Sequence, residues 1–255
     1  FYLDFEASDN LGNDANGGTD LTESGLAAID QATDSPTNNF CTMNPLDNYY
    51  AAINVFGDGN CHVETHAANS NRTRATVGLT TGKWYVEVDI TQANNLNYQT
   101  MGWTKSPSTG TENWFGENTG DVSYYSNGKI YTNGSGTAHG STASTGDILG
   151  CFLDLDNNTA NFSINGTLQN SGTGYSISSI TGQTDEWFFA CGDANSHATV
   201  AILETNFGNP NIALASGNTD VNGYGNFEYS PSVTTNGAAK DYLAICTKNL
   251  SGASS

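Results

Sequence analysis

From about residue 49 onward, apolar and polar side chains alternate along the chain with a period of two, the signature of strands that bury one face. In "KWYVEVDI" (83–90), Trp84, Val86 and Val88 share one face, while Tyr85, Glu87 and Asp89 share the other. "DILGCFLDL" (147–155) is apolar on both faces, which predicts a buried central strand. "TANFSING" (159–166) alternates again with Phe162 and Ile164 inward, and "WFFACG" (187–192) and "VAILETNFG" (200–208) predict two further strands. No amphipathic helix of 10–15 residues intervenes and no internal repeat is present, so parallel βαβ units are not expected. The pattern predicts an all-β fold, an antiparallel β-sandwich over 37–208 with Asn/Gly turns. A polar lead-in (1–36) and a C-terminal extension (209–255) form irregular flanks. Trp84, Val86, Leu149, Leu153, Phe162, Ile164, Phe188 and Phe207 are the expected core.

Composition agrees with many short strands and tight turns: 29 Gly, which tolerates positive φ, and 11 Phe, 12 Tyr and 4 Trp to fill a core. Seven basic against 26 acidic residues give a net charge of −19. That balance disfavours phosphate-backbone binding and docking to anionic lipid, so no nucleic-acid partner is expected. It suits a salty surrounding that screens self-repulsion. No apolar run approaches the roughly 18 residues of a membrane span, so no membrane insertion is expected. The start at "FYLDFEAS", without a basic n-region, reads as a fragment or a processed form. The five cysteines are Cys41, Cys61, Cys151, Cys191 and Cys246, with no CxxC pair. Cys151 and Cys191 read as buried free thiols, and pairing of Cys41 with Cys61 stays open.

Three polar clusters raise the question of a metal. Asp154-Leu-Asp156-Asn157-Asn158 lies between two predicted strands, but no Glu follows at the distance an EF-hand loop requires; the stretch reads as a hairpin turn. "CHVETH" (61–66) puts His62, Glu64 and His66 on one strand face, a set suited to zinc or copper, yet a polar solvent face is the simpler reading. The loop 9–20 offers Asp9, Asn13, Asp14, Asn16 and Asp20 to calcium, with an ordinary Asx-rich turn preferred. No metal and no cofactor is therefore assigned. There is no Gly-x-Ser-x-Gly elbow and no Ser or Cys partner for the four histidines, so no catalytic residue is assigned and the chain is not expected to be an enzyme.

Five motifs in order carry a more specific signal: "GKWYVEV" (82–88), "YQTMGWT" (98–104), "VSYYSNGKIY" (122–131), "GDILGCFLDLDNNTANFSING" (146–166) and "ETNFG" (204–208). Together they resemble the SPRY domain, an antiparallel sandwich of the concanavalin-like, jelly-roll type. The flanks "DSPTNNFCTMNPLD" (34–47) and "GNFEYSP…DYLAICTKNL" (226–250) resemble segments that bracket such modules in virion proteins of marine bacteriophages, tail-fibre proteins among them. The stretch 209–240 is longer and looser than the core pattern needs.

The resemblance implies binding through loops at the sandwich edge. In the loop 106–120, Glu112, Asn113, Trp114, Phe115 and Asn118 combine aromatic faces with adaptable polar groups and are the expected contact residues. Gly102, in the preceding strand, is expected to let the chain turn close to the sheet, and Trp103 and Tyr124 are expected in the core. The chain thus reads as a non-enzymatic virion appendage protein, located in the virion or outside the cell. Its partner would be a host-surface glycan or protein, or neighbouring virion subunits, and a homo-oligomer is compatible with this. The alternatives are a carbohydrate-active enzyme on the same kind of sandwich and a purely structural fibre or filament subunit.

Overall fold

A computed structural model describes the chain except residues 6, 8, 27–33, 36, 50–53, 66–69, 95–97, 109–113, 195–198 and 253–255. Its first strands are β1 (Met43–Tyr49), β2 (Val55–Gly57), β3 (His62–Glu64), β4 (Asn71–Ala75), β5 (Lys83–Gln92) and β6 (Gln99–Thr104). There follow β7 (Asp121–Tyr125), β8 (Lys129–Thr132), β9 (Ser135–Ala138), β10 (Ile148–Asp154), β11 (Thr159–Ile164) and β12 (Thr167–Leu168). The last are β13 (Tyr175–Ser176), β14 (Phe188–Asp193), β15 (Ile202–Asn206), β16 (Ser232–Thr235), β17 (Ala238–Asp241) and β18 (Leu243–Ala244), before a short helix, α1 (Thr247–Gly252). One sheet runs β1-β4-β14-β6-β7-β8-β9; the other runs β12-β11-β10-β5-β15-β3-β2, with β13 beside β11 and β18 beside β5.

The expected antiparallel sandwich is therefore present. Between the sheets lie Trp84, Val86, Val88 and Ile90 of β5, Leu149, Cys151 and Leu153 of β10, and Met101, Trp103, Tyr124, Phe162, Phe189 and Phe207. Register aligns them: Cys151 stands opposite Val86 on one side and Phe162 on the other. Ile164 packs at the edge of this core, only partly buried. Phe188 is buried by a different route, with the Arg74 guanidinium 3.9 Å from its ring centre. The five thiols are buried and unpaired, including Cys41 and Cys61; burial pushes the Cys61 thiol up to about 12.

The outer face of β5 departs from the alternation. Tyr85 and Glu87, on the face opposite Trp84, Val86 and Val88, are buried under the C-terminal extension. Phe227, Tyr242, Ala244 and Cys246 pack with Phe40 on Tyr85 and Phe152, which stand next to one another on β5 and β10. The Tyr85 ring centre lies 4.6 Å from Phe152 and 5.0 Å from Phe227. β15 pairs with β5 only over Glu87–Gln92, and β18 occupies the rungs it leaves, running parallel to Trp84 and Tyr85. The Glu87 carboxylate accepts four hydrogen bonds: from Tyr85 Oη (2.9 Å), Asn206 Nδ2 (3.2 Å), Glu228 N (2.9 Å) and Tyr229 N (2.7 Å). Burial nevertheless raises this carboxyl above its ordinary value, since the loss of water outweighs those donors.

The stretch at 154–158 is the turn joining β10 to β11, with Asn158 at φ +54°. Its carboxylates are already engaged. Asp154 accepts the N–H and the side-chain amide of Asn157 and pairs with Lys240. Asp156 accepts Gly82 N at 3.1 Å and pairs with Lys83 at 2.5 Å, which holds its carboxyl below the ordinary value. Asp156→Ala removes a largely exposed pair and should cost at most about 1 kcal/mol. The thermal unfolding of this variant should respond to added calcium as the parent does; a calcium stabilisation seen only in the parent would contradict the turn assignment. In the lead-in, Asp14 accepts the N–H groups of Tyr2 and Asn16, and Asp20 those of Asp14 and the Asn10 amide. These hydrogen bonds fold the loop 9–20 and tie it to Tyr2.

Candidate interaction surface

The loop between β6 and β7 is anchored at one buried point. Arg72 in β4 and Asp121 at the start of β7 are both fully buried and form a two-pronged ion pair, Nη1 to Oδ2 at 2.9 Å and Nη2 to Oδ1 at 3.2 Å. Asp121 also accepts Thr104 Oγ1 at 2.7 Å, Gly116 N at 3.0 Å and Asn118 N at 3.2 Å. Arg72 Nη2 further donates to Ser106 O, at the other end of the loop. A single charge pair thus fixes both limbs of 106–120. A paired, hydrogen-bonded geometry of this kind is what makes a buried charge tolerable.

Aromatic packing does the rest. Trp114 is half-buried and meets Tyr125 and Tyr131 edge-on, with ring centres 5.6 Å away in each case. Tyr125 and Tyr131 stack on each other at 4.1 Å, and Tyr125 Oη donates to Phe115 O. Gly116, at φ +119°, allows the fold-back: a Cβ there would lie 2.8 Å from both Trp114 and Tyr131. The loop also clips to the β8–β9 turn through Asn133 N to Asn118 O and Gly134 N to Gly116 O.

Of the expected contact residues, Trp114 and Asn118 lie together on this loop and are partly exposed. Glu112 and Asn113 lie outside the described residues. Phe115 needs correcting: it is 0% exposed, with the Arg72 guanidinium 5.3 Å from its ring centre, so it is a wall of the anchor and not a contact residue. Gly102 needs correcting as well. It sits inside β6, where a Cβ would come 2.3 Å from Val122 O, so it serves the close approach of β6 to β7 rather than a turn. Trp103 and Tyr124 are in the core as expected. Sequence reasoning overlooked Arg72 and Asp121. Their only signal is an arginine in a short strand ("NRTRA") and an aspartate opening an aromatic one ("DVSYY"), and nothing in the sequence couples two residues 49 apart.

Comparison with known proteins agrees with this geometry. Residues 83–200, which include the whole loop, match the SPRY domain. A 137-residue stretch, 52% of the chain, is 31% identical to the ATP-dependent RNA helicase DDX1 of Xenopus laevis, and it spans 17% of that protein's length. The crystal structure of the SPRY domain of human HERC1 superposes with a TM-score of 0.52 at 16% identity, covering 64% of this chain and 96% of that one, a likeness of fold. Residues 83–200 are thus similar to the SPRY domain and lie within a larger sandwich to which the segments on either side add strands.

Proposed function

We propose that this chain is a non-catalytic binding module that engages a macromolecular partner through the loop 106–120, with Trp114 as the anchor. The observation that carries the reading is the held, half-exposed Trp114: two tyrosines meet its ring edge-on, and Asp121 holds the backbone just beyond it at Gly116 and Asn118, so little conformational freedom is lost on contact. An amphipathic ring presented in this way, next to the Asn118 amide, suits a sugar face or an apolar side chain bordered by polar groups. SPRY domains are in general protein-binding modules, which supports a protein partner. The likeness of the flanking segments to those of phage virion proteins supports the finer reading: an appendage protein whose partner is a host-surface protein or glycan, or a neighbouring virion subunit.

The test is a pair of measurements on Trp114→Ala, namely binding of labelled protein to marine bacterial cells and glycan arrays, and thermal unfolding. Binding should weaken by about 2 kcal/mol, roughly 30-fold. Unfolding should shift by less than for a core tryptophan, because only part of the ring is buried. Unchanged binding together with a large loss of stability would make Trp114 a packing residue and remove this surface.

A further inference from the structure

We propose that Asp58, His62 and Glu204, together with the side-chain oxygen of Asn211, form a binding site for one divalent transition-metal ion, zinc foremost. The metal reading weighed and set aside for "CHVETH" joined His62 to Glu64 and His66 along one strand; His66 lies outside the described residues, and the fold sets His62 against Glu204. β3 pairs with β15 so that His62 stands directly opposite Glu204, and His62 Nδ1 lies 2.7 Å from Glu204 Oε1. Asp58 enters from the short helical turn 58–60, where Asp58, Gly59 and Asn60 all hold positive φ (+48°, +65° and +65°) and return the chain toward β3. One ligand atom from each of Asp58, His62 and Glu204 lies within 4.8 Å of the others.

Two further observations point to a ligand. Asn211, beyond β15, donates its Nδ2 to the second oxygen of Glu204, which holds the amide beside that carboxylate; its Oδ1 is buried and has no hydrogen-bond partner among the described residues. Asn211 and Asp58 both line a cavity of about 390 Å³, whose wall also includes Asp34 and Asn209. An unpaired buried carbonyl is costly in an apolar wall, but it suits a cation.

Charge favours the same conclusion. Glu204 is 8% exposed, and its only ion-pair partner among the described residues is His62. Arg72, Arg74, Lys83 and Lys240 are held by Asp121, Asp47, Asp156 and Asp154, elsewhere in the fold. Among the described residues, no Lys or Arg forms an ion pair with Asp34, Asp58 or Glu204. One imidazole with carboxylate and amide oxygens is a mixed nitrogen–oxygen set, which selects zinc-like ions over calcium or magnesium. Tetrahedral bonds of about 2.0–2.2 Å would require the ligand atoms to stand roughly 3.3–3.6 Å apart. Binding would therefore require the His62–Glu204 contact to open from 2.7 Å and the exposed Asp58 side chain to close on the other two.

The experiment is zinc titration of protein first stripped by chelator, read by competition with a fluorescent zinc indicator and by thermal unfolding. One zinc per chain should bind and raise the melting temperature, while calcium and magnesium at equal concentration should not. Asp58→Asn and His62→Gln should each weaken zinc binding about tenfold or more. Asn tolerates the left-handed backbone at position 58, so that variant should keep the metal-free melting temperature of the parent. Failure of the parent to bind zinc, an affinity unchanged in Asp58→Asn, or stabilisation by calcium equal to that by zinc would each overturn the proposal.

Discussion

Asp121→Ala is expected to lower the unfolding free energy by about 3–5 kcal/mol, because it leaves the Arg72 guanidinium buried and unpaired. The same change strips Thr104 Oγ1 and the N–H groups of Gly116 and Asn118 of their acceptor. Urea unfolding of the single variants and of the pair Arg72→Met with Asp121→Ala separates the two contributions. Removing both charges should recover part of the loss, since no lone charge stays behind, but not all of it, since the loop donors are still unpaired. A single variant within about 1 kcal/mol of the parent would mean that water reaches this pair, and the loop anchor assigned to Asp121 would fall. Partner binding should fall as well, even where folding is rescued, because the loop that carries Trp114 loses its fixed end.

Glu87→Ala is expected to cost a comparable amount, on the order of 3 kcal/mol, by leaving Tyr85 Oη, the Asn206 amide and two backbone N–H groups under the C-terminal extension without an acceptor. The effect should be cooperative with Phe227→Ala, since both residues hold the extension on Tyr85. Glu87→Gln tests the charge alone. Because burial raises the Glu87 carboxyl in the folded protein, its contribution is fully present below the unfolded value near 4.5 and is lost as pH rises through the higher folded value. The stability of the parent minus that of Glu87→Gln should therefore fall with rising pH just above that unfolded value, then level off. A difference that rises with pH over that range would show that the four donors outweigh desolvation, and would reverse this assignment.

The strands were legible because burial on the inner faces obeys simple alternation: Trp84, Val86 and Val88 of β5 and Phe162 of β11 are apolar where the core requires it. The outer face of β5 was not, because Tyr85 and Glu87 look like solvent residues until the extension covers them and supplies hydrogen-bond partners. That cover comes from residues more than 130 positions away, and short-range periodicity holds no information about it. The candidate loop was half legible. Aromatic residues among amides suggested a contact surface, and Trp114 is partly exposed there; but Phe115, its neighbour, points into the Arg72–Asp121 anchor. Adjacent aromatics on a loop cannot be sorted into wall and surface without knowing which charge pair lies beneath. His62 was weighed beside Glu64 and His66 of its own strand, whereas the fold sets it opposite Glu204, because cross-strand neighbours depend on register, which the sequence leaves open here.

The chain also closes on itself beside Phe40. Cys41 N donates to Ile245 O at 2.9 Å, Thr247 N to Asn39 O at 3.0 Å, and Asn39 N to Thr247 Oγ1 at 3.0 Å. Everything between these two points is a loop with neighbouring ends, so the sandwich can be carried as a cassette: spliced into a surface turn of another protein, it would hardly stretch its host. Tension applied at residues 38 and 248 would also meet this seam first and open it bond by bond. Such a cassette would tolerate a pull distributed over the host chain far better than one applied across its own entrance.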